Sequence, residues 1–170
     1  MFPIALDLAK IPILLIGEGE ALEKRRAQLI EYGATGINIC HASEGWHPAI
    51  ENNNIIMVAG LARTESEKIS AAARTAGKLV NVEDMNDLCD FYFTANVKRG
   101  DLLIAVSTGG ASPTLSRKIR DYIAQKFGSE WKERTEEIKN FRLSLKTKNK
   151  TTAEVLHESE KFLAEKGWLQ

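Results

Sequence analysis

Ile11-Pro-Ile-Leu-Leu-Ile16 is a short apolar run that stops at Gly17, and it constrains the fold more than any other stretch of the chain. A run this brief and this uniformly apolar suits a strand covered on both faces, as in a parallel sheet sandwiched by helices. Three further runs repeat the theme: Gly36-Ile-Asn-Ile-Cys40, Ile55-Ile-Met-Val-Ala59 and Leu79-Val-Asn-Val82. Helical stretches alternate with them. Residues 20–32 read as a helix with Ala21, Leu22, Ala27, Leu29 and Ile30 on its apolar side and Gly33 as its stop. Thr64-Glu-Ser-Glu67 reads as a capping box opening another helix, which carries Ile69, Ala72, Ala73 and Ala76 to a terminator at Gly77. Residues 43–54, with Gly45, Pro48 and three successive asparagines, read mostly as loop. The alternation predicts an α/β fold with a doubly wound parallel sheet and right-handed crossovers.

Past Asp90 the pattern changes. Phe91–Val97 and Leu102–Val106 flank Lys98-Arg-Gly-Asp101, which reads as a hairpin. In Ser107-Thr-Gly-Gly-Ala-Ser-Pro113, Ser112 is a natural N-cap and Pro113 a suitable first helical residue. Leu115, Ile119, Tyr122 and Ile123 then make an amphipathic helix with Arg117, Lys118 and Arg120 near its start. From Glu130 the sequence is helical and charge-rich, with a polar break over Lys146–Thr152. The expected organisation is a dinucleotide-type domain over residues 1–90, a hairpin and helix region over 91–128, and a helical region over 129–170.

Composition narrows the partners. Lysine plus arginine and aspartate plus glutamate number 23 each, so no global field draws the chain to nucleic acid or an anionic membrane. No apolar run approaches the ~20 residues that span a bilayer. The opening residues lack a basic segment followed by an apolar core and a cleavage site. The two cysteines, Cys40 and Cys89, are too few for a disulfide framework, lack metal-site spacing, and read as small apolar residues. A cytoplasmic location is expected.

The first strand leads through Gly17-Glu-Gly19 into a helix, the arrangement in which glycines permit close approach of a pyrophosphate and a helix N-terminus attracts it. This makes the expected sheet Rossmann-like and the expected cofactor a nicotinamide dinucleotide. Leu22 occupies the third glycine position of the full fingerprint, and Glu18 and Glu20 put negative charge nearby. No acidic residue is evident directly after the second strand, where His41, Ala42 and Ser43 stand, so NAD and NADP are both open.

Asn81-Val-Glu-Asp84, Leu88-Cys-Asp-Phe91, the hairpin and Ser107-Thr-Gly-Gly-Ala-Ser-Pro113 form a more distinctive set. Together with Met1-Phe-Pro-Ile-Ala-Leu-Asp-Leu8, they resemble the precorrin-2 dehydrogenase/sirohydrochlorin ferrochelatase family of siroheme biosynthesis, over the span from the N-terminus to about Leu145. The resemblance implies NAD-dependent oxidation of precorrin-2 to sirohydrochlorin, with ferrous iron as a further substrate in many members, and a homodimer. It implies a catalytic role for Asp84, a tetrapyrrole-side role for Thr108, and NAD contacts at Glu20, Ala21, His41 and Ala42.

The residues suit that chemistry. Precorrin-2 carries eight carboxylates, which call for backbone N–H groups and a few cations. Gly109 and Gly110 can bring donors close, the helix at Pro113 adds a positive dipole end, and Arg117 and Lys118 are candidate carboxylate partners or simply a solvated face. Asn81 could hydrogen-bond the ring periphery or complete a strand. Two departures from the family pattern, a shortened segment before the third strand and Gly60-Leu-Ala-Arg63 after it, keep rivals open. These are a chelatase-only or catalytically lapsed relative and a nucleotide-sensing regulatory domain.

Overall fold

A computed structural model describes residues 1–169, and the chain forms two compact units, Met1–Phe93 and Thr94–Gln170.

In the first unit, strands β1 (Ile13–Gly17), β2 (Ile37–Cys40), β3 (Ile55–Ala59) and β4 (Leu79–Val82) form one parallel sheet in the order β2-β1-β3-β4. Every residue of β1 and β3 is buried, as their unbroken apolar sequence demands. Helix α1 (Gly19–Glu31) covers one face, setting Leu22 and Leu29 on Ile13, Leu15, Ile55 and Met57. Helices α2 (His47–Glu51) and α3 (Arg63–Thr75) cover the other. There Trp46, Ile50, Ile69 and Ala73 pack on Leu14, Ile16, Ile56, Val58, Val80 and Val82. Each leucine, isoleucine, valine or methionine side chain so withdrawn from water contributes about 1.5–3 kcal/mol. With helices on both faces, the unit is doubly wound and Rossmann-like.

Three local expectations are corrected. The segment expected as loop contains α2, held because Trp46 and Ile50 are buried and Asn53 is anchored by Asn38 (2.9 Å) and the Ala49 carbonyl (2.8 Å). The Thr64–Glu67 box does not form. α3 begins two residues earlier, at Arg63, its N-cap is Ala62, and Glu67 instead receives a 2.8 Å bond from Arg63. On α1, Ala27 and Ile30 face water, and the inward stripe is Ala21, Leu22, Arg25, Gln28 and Leu29. Two long polar residues stand where apolar ones were expected.

The second unit pairs β5 (Ala95–Arg99) with β6 (Leu102–Val106) in an antiparallel hairpin, with Gly100 at φ 60° in its two-residue turn. Residues 91–94 lie outside the strand. Helix α4 (Pro113–Lys126) begins at the expected cap, where the Ser112 hydroxyl accepts the Leu115 N–H at 3.1 Å. Helices α5 (Trp131–Thr147) and α6 (Thr152–Lys166) are joined by a short break after which Thr151 and Glu154 form a reciprocal capping box. They are held by stacking of Phe141 on Phe162, with centroids 4.4 Å apart, and by an edge contact of Trp168 on Trp131. Of α4 only Ser116 is buried; Leu115, Ile119 and Tyr122 are exposed.

The sheet's tightest backbone contact lies where β1 ends. A Cβ on Gly17 would stand 2.0 Å from the Ala59 carbonyl oxygen, whereas one on Gly19 would meet nothing within 4 Å. Gly17→Ala should therefore cost about 1–3 kcal/mol or more from overpacking. Gly19→Ala should cost only about 1 kcal/mol for its left-handed φ. Urea unfolding midpoints of the two variants test the ranking.

Candidate functional site

The glycine turn divides its work between its two glycines. Gly17 is buried and serves the β1–β3 contact, while Gly19 is exposed at φ 64° and opens the first turn of α1. No side chain caps α1, so its first N–H groups are free to bind an anion. Glu18 and Glu20 are exposed rather than turned into the fold. Ala21 is half-buried behind them. Gly60 completes the turn from outside: at φ 74° it lies against Glu18, and a Cβ there would come within 2.4 Å of the Glu18 carbonyl oxygen. This third glycine contact had no motif to announce it. It comes from the residue that follows β3 rather than from the helix, where Leu22 is a core residue.

At the carboxyl end of β2, His41 and Ala42 enter a 3-10 turn, Ala42–Glu44. The His41 N–H donates to the Glu44 carboxylate at 3.0 Å and its carbonyl accepts the Glu44 N–H at 2.9 Å. The His41 side chain is exposed. The register Ile16↔Cys40 puts this end one strand away from Gly17.

Past β4 the chain turns sharply and runs back beside it. The Val82 N–H donates to the Cys89 sulfur (3.1 Å), which donates to the Val82 carbonyl (3.2 Å). The Asp90 carboxylate accepts the Val80 N–H (2.9 Å), and the Asp90 N–H donates to the Val80 carbonyl (2.8 Å). Asn81 is buried with its amide donating to the Phe91 carbonyl at 2.9 Å, so it serves this return segment. At the tip, the Met85 N–H reaches the Val82 carbonyl at 3.4 Å, and Asp84 sits exposed at φ 57°. A left-handed aspartate is tolerated because its short polar side chain avoids the clash that larger residues meet. Among the described residues its carboxylate has no hydrogen-bond partner, which leaves it available to a ligand.

A guanidinium reaches the same tip from α1. Arg25 lies with its Cζ 4.3 Å from the Phe93 ring centroid and Nη2 3.9 Å from the Glu83 carboxylate. Burial pulls its pKa down, with the Glu83 and Asp84 carboxylates acting in the opposite direction. The signal was present in the sequence: Arg25 stands three residues after Leu22 and four before Leu29, on the inward stripe.

In the second unit, Thr108 is engaged within its own loop. Its hydroxyl accepts the Ser112 N–H, donates to the Ser112 carbonyl and lies by the Ser116 hydroxyl, each at 3.1 Å. The Gly109 N–H donates to the Ser107 hydroxyl at 3.2 Å. Gly110, at φ 88°, is open, with nothing within 4 Å of a Cβ position. Arg117 and Lys118 are exposed on the first turns of α4. The candidate residues thus form two groups, one in each unit. No set of three metal-ligating side chains comes together among the described residues. Cys40 is buried, which raises its thiol pKa.

Asp84 makes a stability prediction of its own. Asp84→Gly should leave stability unchanged or raise it by up to about 1 kcal/mol, Asp84→Asn should be near neutral, and Asp84→Val should cost about 1–2 kcal/mol. Thermal melting of the three variants tests the order.

Residues 4–95 match the family described as "Putative NAD(P)-binding", and residues 99–126 match the sirohaem biosynthesis protein central segment. A siroheme synthase from Methylococcus capsulatus is 34% identical over 139 residues, covering 71% of this chain and 29% of that protein. Siroheme synthase 1 from Klebsiella pneumoniae is 29% identical over 168 residues, covering 88% and 36%. The chain thus spans about a third of the length of these relatives. Among solved structures, SirC, a precorrin-2 dehydrogenase, superimposes with a TM-score of 0.73 at 19% identity, covering 100% of this chain and 93% of that one, a likeness of fold.

Proposed function

We propose, from the premise that this chain belongs to the NAD(P)-binding family matched over residues 4–95, that it oxidises precorrin-2 to sirohydrochlorin with NAD. The observation that carries the reading is the pairing of an open, uncapped helix start at Gly19 with an unpartnered Asp84 at the same carboxyl edge of the sheet. Ligands of open α/β sheets bind along that edge. The siroheme synthases and the central-segment match support the substrate class.

The dinucleotide fits the first unit. The N–H groups at Gly19, Glu20 and Ala21 would hold its pyrophosphate, and His41 and Ala42 border the adenosine side. When bound, the nicotinamide supplies the hydride acceptor. The oxidation removes a hydride and a proton from precorrin-2, giving sirohydrochlorin, NADH and a proton. Asp84 would take that proton: it is exposed and its carboxylate lacks a hydrogen-bond partner among the described residues. Asn81 would act indirectly by tying down the segment that presents Asp84. In the second unit, the Gly110 N–H, Arg117 and Lys118 are offered to substrate carboxylates, with Thr108 and Gly109 shaping the loop. We assign the hairpin and α4, within 91–128, to tetrapyrrole binding and dimerisation, and 129–170 to a helical support. The exposed Leu103, Leu115, Ile119 and Tyr122 favour a homodimer. The thiol state of Cys40 and Cys89 suits the cytoplasm. No helix among the described residues is long and apolar enough to cross a membrane.

Incubation with precorrin-2 and NAD should raise sirohydrochlorin absorbance, and ferrous iron added afterwards reports whether iron is a second substrate. Iron insertion without oxidation would favour the chelatase-only reading, for which Glu18 and Glu20 beside the glycine turn speak. Asp84→Asn should melt within a few degrees of wild type and turn over at least about 10²-fold more slowly. Folded Gly19→Val should bind NAD about tenfold more weakly, measured by titration, because a branched Cβ stands where the pyrophosphate approaches. Light scattering should return about twice the 18.9 kDa protomer mass.

A further inference from the structure

Arg25 is the most enclosed arginine of the first unit and the most weakly paired among the described residues. Arg63 and Arg74, with 54% and 41% of their side chains exposed, each make a close ionic hydrogen bond, at 2.8 Å to Glu67 and 2.9 Å to Asp90. Arg63 also binds Asp87. Arg25 has only 12% of its side chain exposed, yet among the described residues its one hydrogen bond is a 3.4 Å contact from Nη1 to the Gln28 amide oxygen. Glu83, at 3.9 Å, is within ion-pair range but beyond a hydrogen bond. A guanidinium has five N–H donors, and one drawn this far out of water normally holds a carboxylate bidentately. Phe93 fixes its plane from one side without satisfying any in-plane donor.

We propose that Arg25 binds a carboxylate of the tetrapyrrole substrate, as an anion subsite beside Asp84. The inference rests on the function proposed above and adds a cation that neither unit's motif supplied. Three considerations point to a substrate carboxylate. The planar fork matches a carboxylate better than a point anion. Arg25 lies six residues into α1, about 9 Å along its axis from the pyrophosphate-binding N-terminus, and it reaches the end of β4 instead. Glu83 and Asp84 together would repel a polycarboxylate from the proton acceptor, and Arg25 is the guanidinium on which both charges act. An incoming carboxylate would supply the close in-plane partner that Glu83, at 3.9 Å, does not.

The test is the precorrin-2 and NAD assay on the full chain with Arg25→Gln and Arg25→Lys, alongside direct titration with sirohydrochlorin, which retains the eight carboxylates. For Arg25→Gln, the KM for precorrin-2 and the Kd for sirohydrochlorin should each rise about tenfold or more, with kcat within about threefold and NAD affinity unchanged. Arg25→Lys should recover part of the loss. An unchanged KM overturns the inference. So does a fall in kcat alone, which would make Arg25 a positioning residue for Glu83 and Asp84, and so does an equal loss of NAD affinity, which would place it on the cofactor. If Arg25→Gln fails to fold, Arg25→Lys decides, with an expected rise of about threefold or more in the same two constants. If the wild type binds sirohydrochlorin without oxidising precorrin-2, the proposed activity falls and the titrations still decide the role of Arg25. A wild type that does neither overturns both.

Discussion

The approach of Gly17 to the Ala59 carbonyl is the constraint on which the first unit depends. β1 and β3 run so close at their carboxyl ends that neither position 17 nor position 60 leaves space for a Cβ. Gly17 at the end of β1 and Gly60 just past β3 lock the turn from both sides. This leaves Gly19, where a Cβ would meet nothing within 4 Å, without a packing duty in the turn. The glycine motif therefore joins a packing requirement at Gly17 and an open, uncapped helix start at Gly19 within three residues. It also explains how Leu22 can stand where the full fingerprint has glycine: close approach at the turn comes from Gly60, and α1 is anchored on the sheet by an ordinary apolar side chain.

The sheet was legible in the sequence because burial on both faces leaves a mark that needs no context. β1 and β3 are apolar at every position, and both are found as expected. Features set by tertiary contact were not legible. Helix α2 is too short to show a period, and its existence depends on Trp46 and Ile50 finding the sheet and on Asn53 finding Asn38. The Thr64–Glu67 pattern matched a capping box, yet Arg63 and Asp87 hold Glu67 and the helix start in another arrangement. The left-handed conformation of Asp84 is invisible in a string of residue names, since only the return of the chain along β4 forces it. Arg25 was readable from helical phase, and was hidden by the charged residues on either side of it.

The candidate residues separate into those occupied by their own fold and those left open. Asn81 and Thr108 spend their polar atoms on Phe91 and on the start of α4. Asp84, Gly19, Gly110, Arg117 and Lys118 are exposed, and Arg25 is nearly enclosed yet poorly paired. Such a division is what preorganisation requires: a rigid set of internal bonds that fixes backbone and presents groups whose partners arrive with the ligand.

The return segment beside β4 has a consequence for how this sheet behaves among other molecules. β4 is the last strand in the order, and an outermost strand ordinarily offers a ladder of unpaired amides to any passing chain. Here the N–H and carbonyl groups of Val80 and Val82 are taken by a carboxylate, a thiol and one backbone amide from Cys89 and Asp90. Two side chains thereby imitate a fifth strand without forming one. The sheet cannot grow past β4 or recruit a neighbour there, so this margin is guarded against edge-to-edge aggregation by the same short segment that presents Asp84.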